Sequence, residues 1–156
     1  MKSNLGKKSN PYGDWLQNFE WTYWCTFTTR YTLTLPSARR LMWRMYDMRA
    51  SSDKSSLAII EQIFWAAEPF DTREGHHTHA LVKLEPHLPV STKMFCEIYQ
   101  VAAGNVDIRK DQWHRVQVQK YDKRLGASHY CGKYITKTLS DYDFWGRNVS
   151  GVGKIC

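Results

Sequence analysis

Two β-rich stretches on either side of one short turn dominate the middle of this chain. The first, LAIIEQIFWAAEP from Leu57, is apolar and ends near Glu68-Pro69; the second, HHTHALVKLE, runs from His76 to Glu85. Between them, Phe70 to Gly75 has turn composition. Stretches of strand length joined this way pair as an antiparallel hairpin, so a sheet is required and at least part of it is antiparallel.

The flanking segments build on that hairpin. Phe19 to Leu35 (FEWTYWCTFTTRYTLTL) is loaded with aromatic and β-branched residues, which is strand composition. A helix follows, started by Thr34 or Ser37 with Pro36 and carrying Leu41, Met45 and Met48 at helical spacing. Ser51 to Ser56 is a polar loop. STKMFCEIYQVAAG is a second helix, with Ser91 as its N-cap and Gly104 past its end. Trp113 to Tyr121 is read as a strand, Lys123 to Gly126 as a loop and Ala127 to Leu139 as a helix. From Asp141 onward no regular element is expected. The order β-α-β-β-α-β-α predicts an α+β domain: one central antiparallel sheet of about five strands, flanked by helices. Residues 1–14, polar with Gly, Pro and Asn, are expected to form a flexible basic arm.

Lys and Arg outnumber Asp and Glu by 22 to 15, and the net charge of +7 favours polyanionic partners such as nucleic acid. Seven Trp and nine Tyr add faces on which unpaired bases stack. Nothing in the chain is long and apolar enough to predict a membrane span or a secretory leader, so an intracellular protein is expected. The four cysteines (Cys25, Cys96, Cys131, Cys156) include no C-x-x-C pair, which removes support for a zinc ribbon and leaves free thiols as the expectation.

Three constellations carry chemistry. Residues two apart in a strand share a face, so His77 and His79 project to one spot, with Glu68 at the end of the partner strand. Two imidazoles and a carboxylate form a mixed N/O set for a divalent cation, with positions left for substrate. His76 faces the other way in a regular strand and is left out. In the expected last helix, Tyr130 and Tyr134 lie one turn apart, with Lys133 and Lys137 along the same flank. A phenol, whose ordinary pKa is about 10, becomes a useful nucleophile when its anion is stabilised, as by a nearby ammonium. In Cys25-Thr26-Phe27-Thr28-Thr29-Arg30, hydroxyls alternate along a strand and Arg30 adds a charge, both ordinary phosphate contacts. Each set also has a plain structural reading: surface histidines, tyrosines capping a core, and threonines that merely favour strand.

Taken in order, the three segments resemble the HUH endonuclease domain of rolling-circle replication initiators (Rep proteins) of single-stranded DNA viruses, phages and plasmids. FTTR resembles that family's first motif, HTHALV the second with Glu68 as the metal carboxylate, and both YCGK and YITK the Tyr-x-x-Lys of the third. The matched span runs from about residue 24 to 137. Thr78 stands between the histidines where the family has a large apolar residue. Tyr130 with Lys133 looks like the single-tyrosine form of circular viruses, and Tyr134 with Lys137 equally like a parvovirus form; some members use two tyrosines at this spacing.

The resemblance implies an HUH/RRM-like fold for residues 15–156. It implies a nickase and strand-joining enzyme acting on single-stranded origin DNA, as such or presented by a hairpin, through a 5′-phosphotyrosine. Glu68, His77 and His79 would bind Mn²⁺ or Mg²⁺; Tyr130 or Tyr134 would be the nucleophile, aided by Lys133 or Lys137; Thr28 and Arg30 would contact DNA. A host nucleus would be its place for a eukaryotic virus, the cytoplasm for a phage or plasmid. No G-x-x-x-x-G-K-[ST] loop is present, so a helicase is expected in cis beyond these residues or in trans. The alternatives are a non-catalytic single-strand binding module, a relaxase or single-tyrosine transposase, and a structural metal site.

Overall fold

A computed structural model describes residues 11–51, 56–88, 90–104, 114–128 and 141–147. Its elements, in chain order, are helix α1 (Pro11–Leu16), strand β1 (Tyr23–Thr28), helix α2 (Leu35–Asp47), strands β2 (Arg49–Ser51), β3 (Ser56–Ala58), β4 (Ile60–Pro69) and β5 (His76–Leu84), helix α3 (Thr92–Ala102), strand β6 (Arg115–Lys120), a 3₁₀ turn (Lys123–Leu125) and strand β7 (Asp141–Gly146). The fold is α+β, as expected: five strands in the order β6-β1-β5-β4-β7, all neighbours antiparallel, with three helices among the described residues.

The expected hairpin is the centre of the sheet. β4 and β5 pair from Ile60↔Leu84 to Pro69↔His76, with one extra residue accommodated at Glu61. Their turn depends on Gly75, at φ +96°. A Cβ there would lie 3.2 Å from the Leu33 amide nitrogen, so both the backbone angle and the space favour glycine. β7 reaches only as far as Ala67↔Asp141 along β4. Pro69, which has no N–H to offer a second neighbour, lies two residues past the last described β4–β7 pair.

Thr34 is the N-cap of α2, accepting a hydrogen bond from the Ser37 N–H at 3.2 Å, and Ser91 does the same for α3 with the Met94 N–H. α2 turns Ala38, Leu41, Met42, Met45 and Tyr46 inward, and α3 contributes Phe95, Tyr99 and Ala102. They bury one face of the sheet, where Phe27 stacks on Tyr99 with ring centroids 4.2 Å apart. That core also holds Tyr23, Cys25, Ile63, Trp65, Ala80 and Val82.

The opposite face carries a second, smaller apolar cluster: Leu16, Trp21, Phe64, Ala66, Leu81, Ala127 and Phe144. Among the described residues it covers one end of that face.

Three segments differ from expectation. Residues 11–14, placed in the flexible arm, belong to α1, whose Gly13 and Leu16 are buried and whose Trp15 packs edge-on against Phe19 at 5.3 Å. Asp141–Gly146 is a strand, although aspartate disfavours strands. Arg39 of α2 resolves the conflict by donating to Asp141 at 2.8 and 3.0 Å and to Asp143 at 2.6 Å. Finally, the stretch from Leu57 is split: β3 forms a small separate ladder with β2 before β4 begins. No described helix is long and apolar enough to cross a membrane.

Candidate metal centre

Cross-strand register decides which side chains meet, because directly paired residues point to the same face. On the face opposite the main core, three successive rows lead toward one end of the sheet. Trp24, Leu81, Phe64 and Phe144 form the first, inside or beside the smaller apolar cluster. Gln117, Thr26, His79, Ala66 and Tyr142 form the next. Beyond it lie the pairs Arg115↔Thr28 and His77↔Glu68. Along β4 and β5 the face thus passes from apolar to polar within two steps of each strand, and the polar end holds the predicted triad.

Glu68 Oε2 lies 2.9 Å from His77 Nε2 and 3.1 Å from His79 Nε2. One carboxylate oxygen therefore meets both imidazoles, and all three potential ligand atoms lie within 4.8 Å of one another. These residues form a group that can hold a metal ion. The donor chemistry fits a divalent cation of borderline to hard character, and three protein ligands leave coordination positions open. Side-chain exposures of 20% for Glu68, 19% for His77 and 6% for His79 grade the centre from a sheltered floor to an accessible rim.

The two histidines are held differently. His79 lies nearly parallel to the Trp24 ring, 12° between planes and 5.5 Å between centroids, with its Nδ1 3.1 Å from Thr26 Oγ1. His77 packs against Phe70 at 4.9 Å, and the Arg73 guanidinium lies 4.0 Å over that same phenyl ring. The Nδ1 of His77 is buried without a hydrogen-bond partner among the described residues. His76 points away, as alternation requires, and its Nδ1 donates to the Leu33 carbonyl at 2.8 Å, tying β5 to the segment before α2.

Of the predicted DNA contacts, Thr28 is half-buried on the triad's face and paired with Arg115. Arg30 is exposed beyond the end of β1, with its backbone N–H donating to His114 Nδ1 at 3.2 Å. His114 is buried; burial first, and the Arg30 charge second, push its pKa below the ordinary value. Burial also raises the phenol pKa values of Tyr31 and Tyr99 nearby. Gln100 of α3 closes this corner with two hydrogen bonds to the His114 backbone.

Tyr130, Lys133, Tyr134 and Lys137 lie outside the described residues. The chain leading to them is anchored, however. Ala127 belongs to the apolar cluster on the triad's face, and Ser128 is buried with its Oγ 2.7 Å from the Tyr121 hydroxyl.

The sequence marks Thr26 only as one of the alternating hydroxyls of a phosphate-contacting strand and does not mark Trp24; neither is tied there to the metal site. The signal was there in half: both share the strand parity of Thr28. The other half is the β1–β5 register, which pairs Thr26 with a residue 53 positions away. No protein-family model, curated protein or solved structure matches the chain.

Proposed function

We propose that this protein is a metal-dependent single-stranded DNA endonuclease that nicks and rejoins through a covalent tyrosine, in the manner of rolling-circle replication initiators. The observation that carries the proposal is the convergence of Glu68, His77 and His79 on one sheet face. Support comes from the basic charge of +7 and from Ala127 packing on that face three residues before Tyr130.

Bound by this triad, Mn²⁺ or Mg²⁺ would polarise a non-bridging phosphate oxygen and offset the charge that develops on it. The remaining steps belong to the chain. Thr28 and Arg30 contact the DNA backbone. The phenol of Tyr130 or Tyr134 attacks phosphorus; the new bond joins its oxygen to phosphorus as the bond from phosphorus to the 3′-oxygen breaks. The phenolic proton ends on that 3′-hydroxyl, and the 5′-phosphate remains on tyrosine. Lys133 or Lys137 stabilises the phenolate. Rejoining is the reverse attack by a 3′-hydroxyl, and since the phosphotyrosine retains the bond energy, no nucleotide is consumed. Origin DNA, unpaired within a hairpin, is the proposed partner, with a helicase in cis or in trans.

The test is incubation of the protein with origin-like single-stranded oligonucleotides and Mn²⁺, resolved on a denaturing gel. The expected product is a shifted protein–DNA band that EDTA prevents and that His77→Ala and His79→Ala lose. A binding module without catalysis would instead retain all its DNA affinity in both variants and form no adduct.

A further inference from the structure

We infer that Thr26 is a positioning residue of the metal centre, its hydroxyl holding the His79 ring with Nε2 toward the cation; this rests on the reading that Glu68, His77 and His79 bind one. Thr26 and His79 are direct cross-strand partners, and Thr26 Oγ1 lies 3.1 Å from His79 Nδ1. On the far side of the same ring, Nε2 points at Glu68 Oε2, 3.1 Å away. The imidazole is thus held at both nitrogens, and its face lies along Trp24. At 5% exposure the residue has little room to adopt another orientation.

A hydroxyl suits this place for a chemical reason. In a neutral ring whose Nε2–H donates to Glu68, Nδ1 can only accept, and the threonine O–H then donates to it. When a cation takes the Nε2 lone pair, the ring proton resides on Nδ1, which donates to Thr26 Oγ1. A hydroxyl rotates between these roles, whereas a backbone carbonyl could only accept. Second-shell partners of this type fix the ring's orientation and the basicity of the ligating nitrogen. His77 has no equivalent: among the described residues its Nδ1 has no hydrogen-bond partner, and its ring contacts are with Phe70 and His79. The described β1–β5 ladder ends at Phe27↔Thr78, one residue short of Thr28.

The experiment is a Mn²⁺ titration of the full chain, with free Mn²⁺ read by electron paramagnetic resonance, on wild type, Thr26→Val, Thr26→Ser and Glu68→Gln. Valine preserves β-branching and volume but neither donates nor accepts; serine preserves the hydroxyl. The expected result is a loss of about tenfold or more in Mn²⁺ affinity for Thr26→Val and recovery to within about threefold of wild type for Thr26→Ser. Thr26→Ala, which removes the oxygen without adding bulk, should match the valine variant and replaces it if that chain does not fold. Wild-type affinity in Thr26→Val or Thr26→Ala overturns the inference. A wild-type chain that binds no Mn²⁺, or binds it as Glu68→Gln does, overturns the metal centre itself.

Discussion

Glu68 and His77 face each other directly across the β4–β5 ladder, with Glu68 Oε2 2.9 Å from His77 Nε2, and the same oxygen also meets His79. A carboxylate between two imidazoles is a preorganised ligand set, because little side-chain freedom remains to be lost when a cation enters.

Mn²⁺ should therefore stabilise the fold by mass action. At a hundredfold excess over Kd the gain is about 2.7 kcal/mol, on the order of 5–10 °C in Tm for a chain of this size. Differential scanning fluorimetry with and without Mn²⁺ measures it. Glu68→Gln should abolish the shift; an equal shift in that variant would place the bound ion elsewhere.

The covalent step makes a separate demand on Tyr130 and Tyr134. Changing both to Phe should abolish the protein–DNA adduct while leaving single-strand affinity within a few fold, since phenylalanine still stacks on bases. In the single variants, loss of nicking from one alone assigns a single nucleophile, and impairment in both assigns a pair. An adduct that survives in the double variant removes Tyr130 and Tyr134 from the covalent step.

Arg39 links α2 to β7 through two carboxylates, and with 42% side-chain exposure the contacts are partly solvated. Bidentate geometry toward Asp141 raises the value of such a pair, and solvent lowers it. Arg39→Met should cost on the order of 1–2 kcal/mol, since two neighbouring carboxylates lose their counter-charge. Adding Asp141→Asn and Asp143→Asn should recover part of that. Urea unfolding of the four chains gives the coupling; a coupling near zero would show that β7 docks through Phe144 and Trp145 alone.

The same ion-pair network explains what was legible in the sequence. The β4–β5 hairpin, α2 and α3 could be read because their signals are local: caps at Thr34 and Ser91, and apolar spacing along each helix. The triad was legible because parity and one hairpin register place Glu68, His77 and His79 together. β7 was not, since Asp141 and Asp143 argue against a strand until Arg39, 102 residues before the first of them, neutralises them. α1 was hidden for a related reason: PYGDWL has poor helical propensity and is held by Trp15 against Phe19 and Phe144. Thr26 depended on the β1–β5 register, which no local pattern reveals.

His114 gives the fold a specific acid sensitivity. Its Nδ1 accepts the Arg30 N–H, a bond available only while that nitrogen is unprotonated, and burial and the Arg30 charge lower its pKa in the folded state. The unfolded chain, with a His pKa of about 6.5, then binds the proton first as pH falls. Stability is accordingly undiminished above about pH 6.5 and declines as pH drops from there toward the folded-state value, because the unfolded state holds more protons in that window. His87 acts in the opposite sense: Glu85 raises its pKa, so its contribution is present at low pH and lost as pH rises, but the exposure of the His87 ring leaves the effect small. His114→Gln keeps an acceptor for the Arg30 N–H and removes the titration. Urea midpoints between pH 7.5 and 5 should fall more steeply for wild type than for this variant, and parallel curves would show that the buried imidazole does not set the slope.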